Sequence, residues 1–300
     1  MISSTAIRTA ATALALLASG TAAQAETVFA VTSGNRLVSF DAATPGTLKS
    51  NAAISGLAIG DTLIGIDLRP ADRKLYAVGR SGNLYRLAGG GNGYAATNLG
   101  QIGAALSGSS FGVDFNPTVD RLRLVSDSNQ NLRINPNIMP PGTITDASLT
   151  LNGAVPFDLL AAAYTNSRPG ALTTTLYGID ARSGGLVRAT NANAGTYVTT
   201  SLGGAAFQSL GLPLDNAQSL GFDISGGTGL GYFNFGDSFY RISLSTGAST
   251  LVGGIGASGI VGLTAGSVPE PASWALLIMG FGLVGAARRR QRPAQARLSA

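Results

Sequence analysis

The chain has 300 residues, with 20 Lys+Arg against 15 Asp+Glu, and it contains neither Cys nor His. Those two absences exclude a disulfide framework, a Ser-His-Asp triad, a Cys nucleophile, and zinc or haem held by Cys or His. The basic excess does not point to nucleic acid: six basic residues and one acid lie in the terminal segments, leaving fourteen of each sign in residues 26–268.

The first 25 residues read as a secretory signal peptide. Arg8 gives the positive start, Ala10 to Ala18 the apolar stretch, and Ala23-Gln24-Ala25 a small-x-small cleavage site. Removal by signal peptidase after Ala25 makes Glu26 the mature N-terminus.

Three strands are predicted next, from TVFAV (Thr27–Val31), RLVSF (Arg36–Phe40) and LKSNAAISG beginning at Leu48. A pattern then recurs four times, over Leu63–Leu87, Phe111–Ile134, Ala161–Ala189 and Leu220–Leu244. Each copy has a short strand around Gly-apolar-Asp or its equivalent, then a turn with Pro or Gly. A strand starting near Leu75, Leu122, Leu176 or Leu230 follows, and then a third strand carrying Arg86, Arg133, Arg188 or Arg241 between apolar neighbours. YAATNLG from Tyr94, ITDASLT from Ile144, YVTTSLG from Tyr197 and STLVGGIG from Ser249 supply a more polar fourth strand.

Four short antiparallel strands per repeat predict a β-propeller blade. The three N-terminal strands make an incomplete fifth unit, and GIVGLTA (Gly259–Ala265) supplies its missing inner strand. The expected fold is therefore all-β: a five-bladed propeller over residues 26–266, closed by pairing the N- and C-terminal strands, which removes the open sheet edge. The long interval between Ala163 and Gly221 leaves room for extra strands.

Asp67, Asp114 and Asp223 recur at one place in three repeats, with Thr165 and Thr264 read as the other equivalents. Facing a channel they form an acidic ring suited to a cation or sugar hydroxyls. As scaffold, each accepts N–H groups of its own following turn. Asp127, Asn129 and Asn131 place oxygens at alternate positions, the weak start of a calcium loop. Leu132 and Ile138 stand where an EF-hand needs Gly and Glu, so an EF-hand is excluded and only a looser Ca²⁺ site is left open. The four third-strand arginines share one strand face and are expected to pair with nearby Asp residues. Tyr232, Phe233, Phe235, Phe239 and Tyr240 suit either packing between sheets or a stacking platform for carbohydrate. No catalytic residue is assigned.

Residues 110–137, with GVDFNP followed by RLRLVSDSNQNLRINPN, resemble the bacterial domain of unknown function DUF4394. GIDLRP, KLYAV and GNLYRL repeat the pattern in the preceding unit, so the resemblance covers most of residues 26–266. The family implies the repeat fold and assigns no ligand or catalytic group.

The last thirty residues carry Pro269-Glu270-Pro271 and Trp274-Ala275, an apolar stretch through Ala287, and Arg288-Arg289-Arg290. This order resembles the PEPxxWA form of the PEP-CTERM sorting signal of Gram-negative bacteria. The resemblance implies transient anchoring in the inner membrane and removal of the anchor by an exosortase-type transpeptidase. Ala272 to Ala287 is sixteen residues, a little short of the roughly twenty that span a bilayer comfortably, and the arginines would stay cytoplasmic. The whole reads as an exported, non-catalytic binding or structural module of the cell surface or extracellular matrix, with extracellular polysaccharide as a candidate partner and no cofactor. The rivals are a carboxylate-based glycan lyase or hydrolase and a calcium-dependent adhesion protein.

Overall fold

The computed structural model describes residues 26–90, 93–153, 157–199, 210–214 and 220–266. The predicted signal peptide, the sorting motif, the Ala272–Ala287 stretch and the arginine stop lie outside the described residues. Among the described residues the chain is all-β, and no helix is long and apolar enough to cross a membrane.

The strands fall into five antiparallel units. The first takes β1 (Thr27–Thr32), β2 (Arg36–Asp41) and β3 (Thr44–Ser55), and the second β4 (Leu63–Leu68), β5 (Leu75–Gly79), β6 (Asn83–Gly90) and β7 (Gly93–Gln101). The third holds β8 (Phe111–Asn116), β9 (Arg121–Ser126), β10 (Asn131–Asn135) and β11 (Gly142–Thr145). After the short β12 (Thr150–Leu151) the fourth holds β13 (Leu159–Tyr164), β14 (Leu176–Asp180), β15 (Gly185–Asn191) and β16 (Thr196–Thr199). The fifth holds β17 (Phe222–Ile224), β18 (Gly231–Phe235), β19 (Ser238–Ile242) and β20 (Ser249–Gly254), and β21 (Ile260–Gly266) returns to the first unit.

That return is an antiparallel pairing of β21 with β1, from Thr27 opposite Gly266 to Thr32 opposite Ile260. The inner edge of the N-terminal unit is thus made by the C-terminal strand of the body. Two departures from strict repetition appear. Ile54–Ser55 of β3 pairs in parallel with Tyr94–Ala95 of β7, fusing the first two units into one eight-stranded sheet. The ITDASLT segment does not form one strand. Its start belongs to β11, and β12 crosses to pair in parallel with β16 of the next unit. This crossing strand lies before the Ala163–Gly221 interval, which had left room for extra strands.

The apolar runs of the second strands are explained by burial on both faces. In β5, Leu75 and Ala77 pack toward the first unit while Tyr76 and Val78 pack toward the third. Every neighbouring pair of units holds one such buried cluster, five in all among the described residues. The aromatics of the fifth unit belong to this packing: Tyr232 stacks on Phe239 and Phe233 on Tyr240, and Phe40 of the first unit meets Phe239 edge-on. Fully burying one large apolar side chain is worth about 1.5–3 kcal/mol, so these clusters supply the stability that no disulfide provides.

Candidate functional site

The inner strands β21, β4, β8, β13 and β17 lie side by side in that order, and β17 lies beside β21. Their approach is close enough to exclude side chains at one level. A Cβ on Gly112 would sit 2.5 Å from the Ala162 nitrogen, and one on Gly221 would sit 2.4 Å from the Leu263 nitrogen. This is the physical reason for the Gly in the Gly-apolar-Asp pattern. The space left between the strands at this level is only about 10 Å³, and above it opens a funnel of about 260 Å³ lined in part by Leu63, Phe111, Leu220 and Val261.

Below the glycines sit Asp67, Asp114 and Asp223, all buried, each offering a carboxylate oxygen within 4.8 Å of the others. They accept hydrogen bonds from the neighbouring strand. Asp67 takes the Phe115 N–H at 2.7 Å, Asp114 the Tyr164 N–H at 3.3 Å, and Asp223 the Ala265 N–H at 2.6 Å. Thr264 plays the same part toward the second unit, its hydroxyl oxygen accepting the Leu68 N–H at 3.2 Å. The scaffold reading of these residues therefore needs correction in its detail: the acids bind across units, not only within their own turns. Thr165 is not the fourth-unit equivalent. The residue opposite Tyr177 is Ala163, as Asp67 is opposite Tyr76 and Asp223 opposite Tyr232.

Burial favours the protonated form of these acids. Burial pushes Asp67 up to about 8, with the Asp223 charge adding to it. Burial also raises Asp114 well above the usual carboxyl range and raises Asp223. Hydrogen-bond accounting points the same way. The Thr264 hydroxyl lies 2.9 Å from both Asp67 and Asp223 and has one proton to give. The second contact is satisfied only when a carboxyl proton is donated to Thr264. A cation placed here would meet N–H and O–H donors aimed at the same lone pairs, and the 10 Å³ above it admits no substrate.

A different centre lies between the third and fourth units. At the place where β5, β14 and β18 carry Tyr76, Tyr177 and Tyr232, β9 carries Arg123, opposite Asp114. Its side chain is 2% exposed. The guanidinium donates to the Tyr164 hydroxyl at 3.2 Å, to Asn131 Oδ1 at 2.7 Å, to Asp146 at 2.6 Å and to Asn193 Oδ1 at 2.7 Å. Burial alone pulls its pKa down, yet Tyr164 and Asp146 outweigh that and hold it above the ordinary value. Arg133 donates twice to the same Asp146, at 2.6 and 2.9 Å. Sequence reading missed Arg123, Asp146, Tyr164 and Asn193. The available signal was Leu122-Arg123-Leu124 set against Leu75-Tyr76-Ala77 and Leu176-Tyr177-Gly178.

Asp127, Asn129 and Asn131 are engaged separately. Asp127 accepts the Ser109 N–H at 2.9 Å, Asn129 holds a left-handed turn at φ 66°, and the Asn131 carbonyl oxygen faces the Arg123 guanidinium. An arginine on its oxygen makes Asn131 a poor cation ligand. Of the third-strand arginines, Arg133 has its expected Asp partner, whereas no ion pair engages Arg86, Arg188 or Arg241 among the described residues. Glu26, the residue after the predicted signal cleavage, bonds Ser225 and, at 3.2 Å, Thr228 on the fifth unit.

Residues 36–264 match the profile of the domain of unknown function DUF4394. The chain belongs to this family. A second profile, the PEP-CTERM protein-sorting motif, matches residues 267–291 and begins where β21 ends. That motif marks this DUF4394 protein as exported, sorted at the membrane toward the cell surface, and an exosortase substrate. No curated protein matches the chain. Among solved structures it is similar to a chain of a nidogen/laminin complex (14% identity, 80% of this chain and 98% of that one, TM-score 0.43). It is also similar to a Bacteroides thetaiotaomicron protein of unknown function (16% identity, 81% and 60%, TM-score 0.47). A Myxococcus xanthus glutaminyl cyclase shares 12% identity over 69% of this chain and 88% of that one, at a TM-score of 0.38.

Proposed function

We propose that the five units are the blades of a closed propeller, and that this propeller is a non-catalytic, metal-independent binding or structural module of the cell surface or extracellular matrix. One observation carries the reading: the sorting motif begins at residue 267, directly after the strand that completes the first unit, so the body is finished before the sorting tail starts. The recurrent acids support the non-catalytic part. They are buried and bonded to neighbouring strands, whereas a glycan hydrolase needs a carboxyl pair open to the sugar. The tail would hold the protein in the inner membrane through Ala272–Ala287 until an exosortase removes it.

Intact-mass analysis of the surface fraction from the native host tests the sorting step. The mature chain is expected to end near Pro269–Pro271 and to lack Trp274. A surface-fraction chain ending at Ala300 rejects removal of the anchor. Incubation of the same protein with a panel of polysaccharides is expected to release no product, and turnover on any of them overturns the non-catalytic reading.

A further inference from the structure

The arginine centre opens to solvent as two adjoining cavities, of about 320 and 260 Å³, which share Arg121, Arg133 and Ile144 as their common wall. Three guanidinium groups meet here, with Asp146 between two of them. Nearby Asp120 is bound by Arg69 of the second unit and also feels the Arg121 charge, and Arg69 is shared with Asp72, so four guanidinium groups stand against three carboxylates. Arg121 uses one nitrogen on the backbone oxygens of Val119 and Asp120. No carboxylate pairs with it among the described residues. The Tyr164 hydroxyl accepts from Arg123, and no described acceptor takes its own proton. The site thus has excess positive charge and unused N–H and O–H donors in a partly desolvated hollow, which favours an oxyanion.

Its rim is apolar. Val119, Ile138 and Ile144, 53%, 51% and 56% exposed, line the two cavities, and Met139 beside them is 71% exposed. Large apolar side chains gathered in the open around a charged centre mark a binding surface. Two chambers sharing one cationic wall fit successive units of a linear anion better than a single headgroup.

We propose that this double cavity binds a carboxylate-bearing polysaccharide, with two consecutive uronate units in the two chambers. The inference rests on the reading of the body as a surface binding module and gives that module its ligand class. The carboxylates face Arg121 and Tyr164, and the C–H faces of the sugar rings lie on Val119, Ile138 and Ile144. Arg123, held by Asn131, Asp146 and Asn193, supplies charge from behind and fixes the Tyr164 hydroxyl.

The test is calorimetric titration of the full chain in neutral detergent with short oligogalacturonates. The wild type is expected to bind, more weakly as salt rises, and the methyl-esterified oligomer is expected not to bind. Arg121→Gln and the exposed-rim variant Ile144→Glu should each weaken binding about tenfold or more, while Arg241→Gln on the fifth unit should not. Equal melting temperatures show that the rim variants fold, and if Arg121→Gln does not fold, Ile144→Glu alone decides. Undiminished binding by folded rim variants, or equal binding of the methyl ester, overturns the proposal. Absence of all binding, with no turnover, sinks the ligand assignment and leaves the non-catalytic reading intact. Binding with cleavage of the probe keeps the site and overturns that reading.

Discussion

The carboxyl of Asp67 on β4 accepts the backbone N–H of Phe115 on β8 at 2.7 Å, across forty-eight residues of sequence. Asp114 repeats the contact toward Tyr164, and Asp223 toward Ala265. The relay has one gap, after Ala163, where the fourth unit has no acid. These acids stitch the inner strands to one another, and they do so partly protonated.

Stability should therefore fall as pH rises through neutrality. Asp67 has its folded pKa raised from 3.8 to about 8 by burial first and Asp223 second. Between those values the folded state binds more protons than the unfolded one, so its stabilising contribution is fully present below about pH 4 and is lost as pH climbs through about 8. Each retained proton gives a slope of up to about 1.4 kcal/mol per pH unit. Asp120, held low first by Arg69, has the opposite sign: its contribution exists above its unfolded pKa and disappears on acidification. The melting temperature should peak in mild acid and decline toward pH 8. Asp114→Asn keeps an acceptor for Tyr164 and gives Asp223 a permanent donor, so it should flatten the alkaline decline. A melting temperature that rises steadily from pH 5 to 8 in the wild type contradicts the protonated centre.

Arg123→Ala should be the more damaging change at the third–fourth interface. It removes a buried guanidinium with four partners and leaves Asn131, Asn193 and Tyr164 short of donors. Breaking a buried ionic contact on one side costs about 3–5 kcal/mol, partly relieved here because Arg133 still bonds Asp146. Urea unfolding should show a lower midpoint with an unchanged slope, whereas Arg188→Ala, at a half-buried position without an ion pair, should shift it little. Equal midpoints for the two variants count against Arg123 as the organiser of this interface.

Truncation tests ring closure. Ending the body after Gly256 removes β21 and exposes the inner edge of β1 along its whole length. It also deletes Ile260, Leu263 and Ala265 from the cluster shared by the first and fifth units, and it takes Thr264 away from Asp67 and Asp223. Losses of about 1.5–3 kcal/mol per large side chain are a large part of a typical stability of roughly 5–15 kcal/mol. That chain should aggregate or be digested by protease, while one ending after Ser267 should stay folded and soluble. Identical melting curves for the two mean that the ends do not hold each other.

Strand positions and the pairing of the two ends were legible in the sequence because alternation and turn residues are local signals. GIVGLTA could be matched to the missing inner strand because its Gly-apolar pattern also stands at Gly65, Gly112 and Gly221, where the inner strands approach closely. The partners of the acids were not legible. Asp67 meets Thr264 across 197 residues, and Asp114 meets Tyr164 across 50. No local pattern encodes which neighbouring strand will bring an N–H to a given carboxyl. The choice of Thr165 over Ala163 failed for the same reason, since a shift of two residues keeps the strand face and only the pairing register separates them. Arg123 was visible only as an apolar-Arg-apolar step in a strand. Packing of the third unit on the fourth turned it into the buried hub of a basic cavity, because Tyr164 and Asn193 reach it only across that interface.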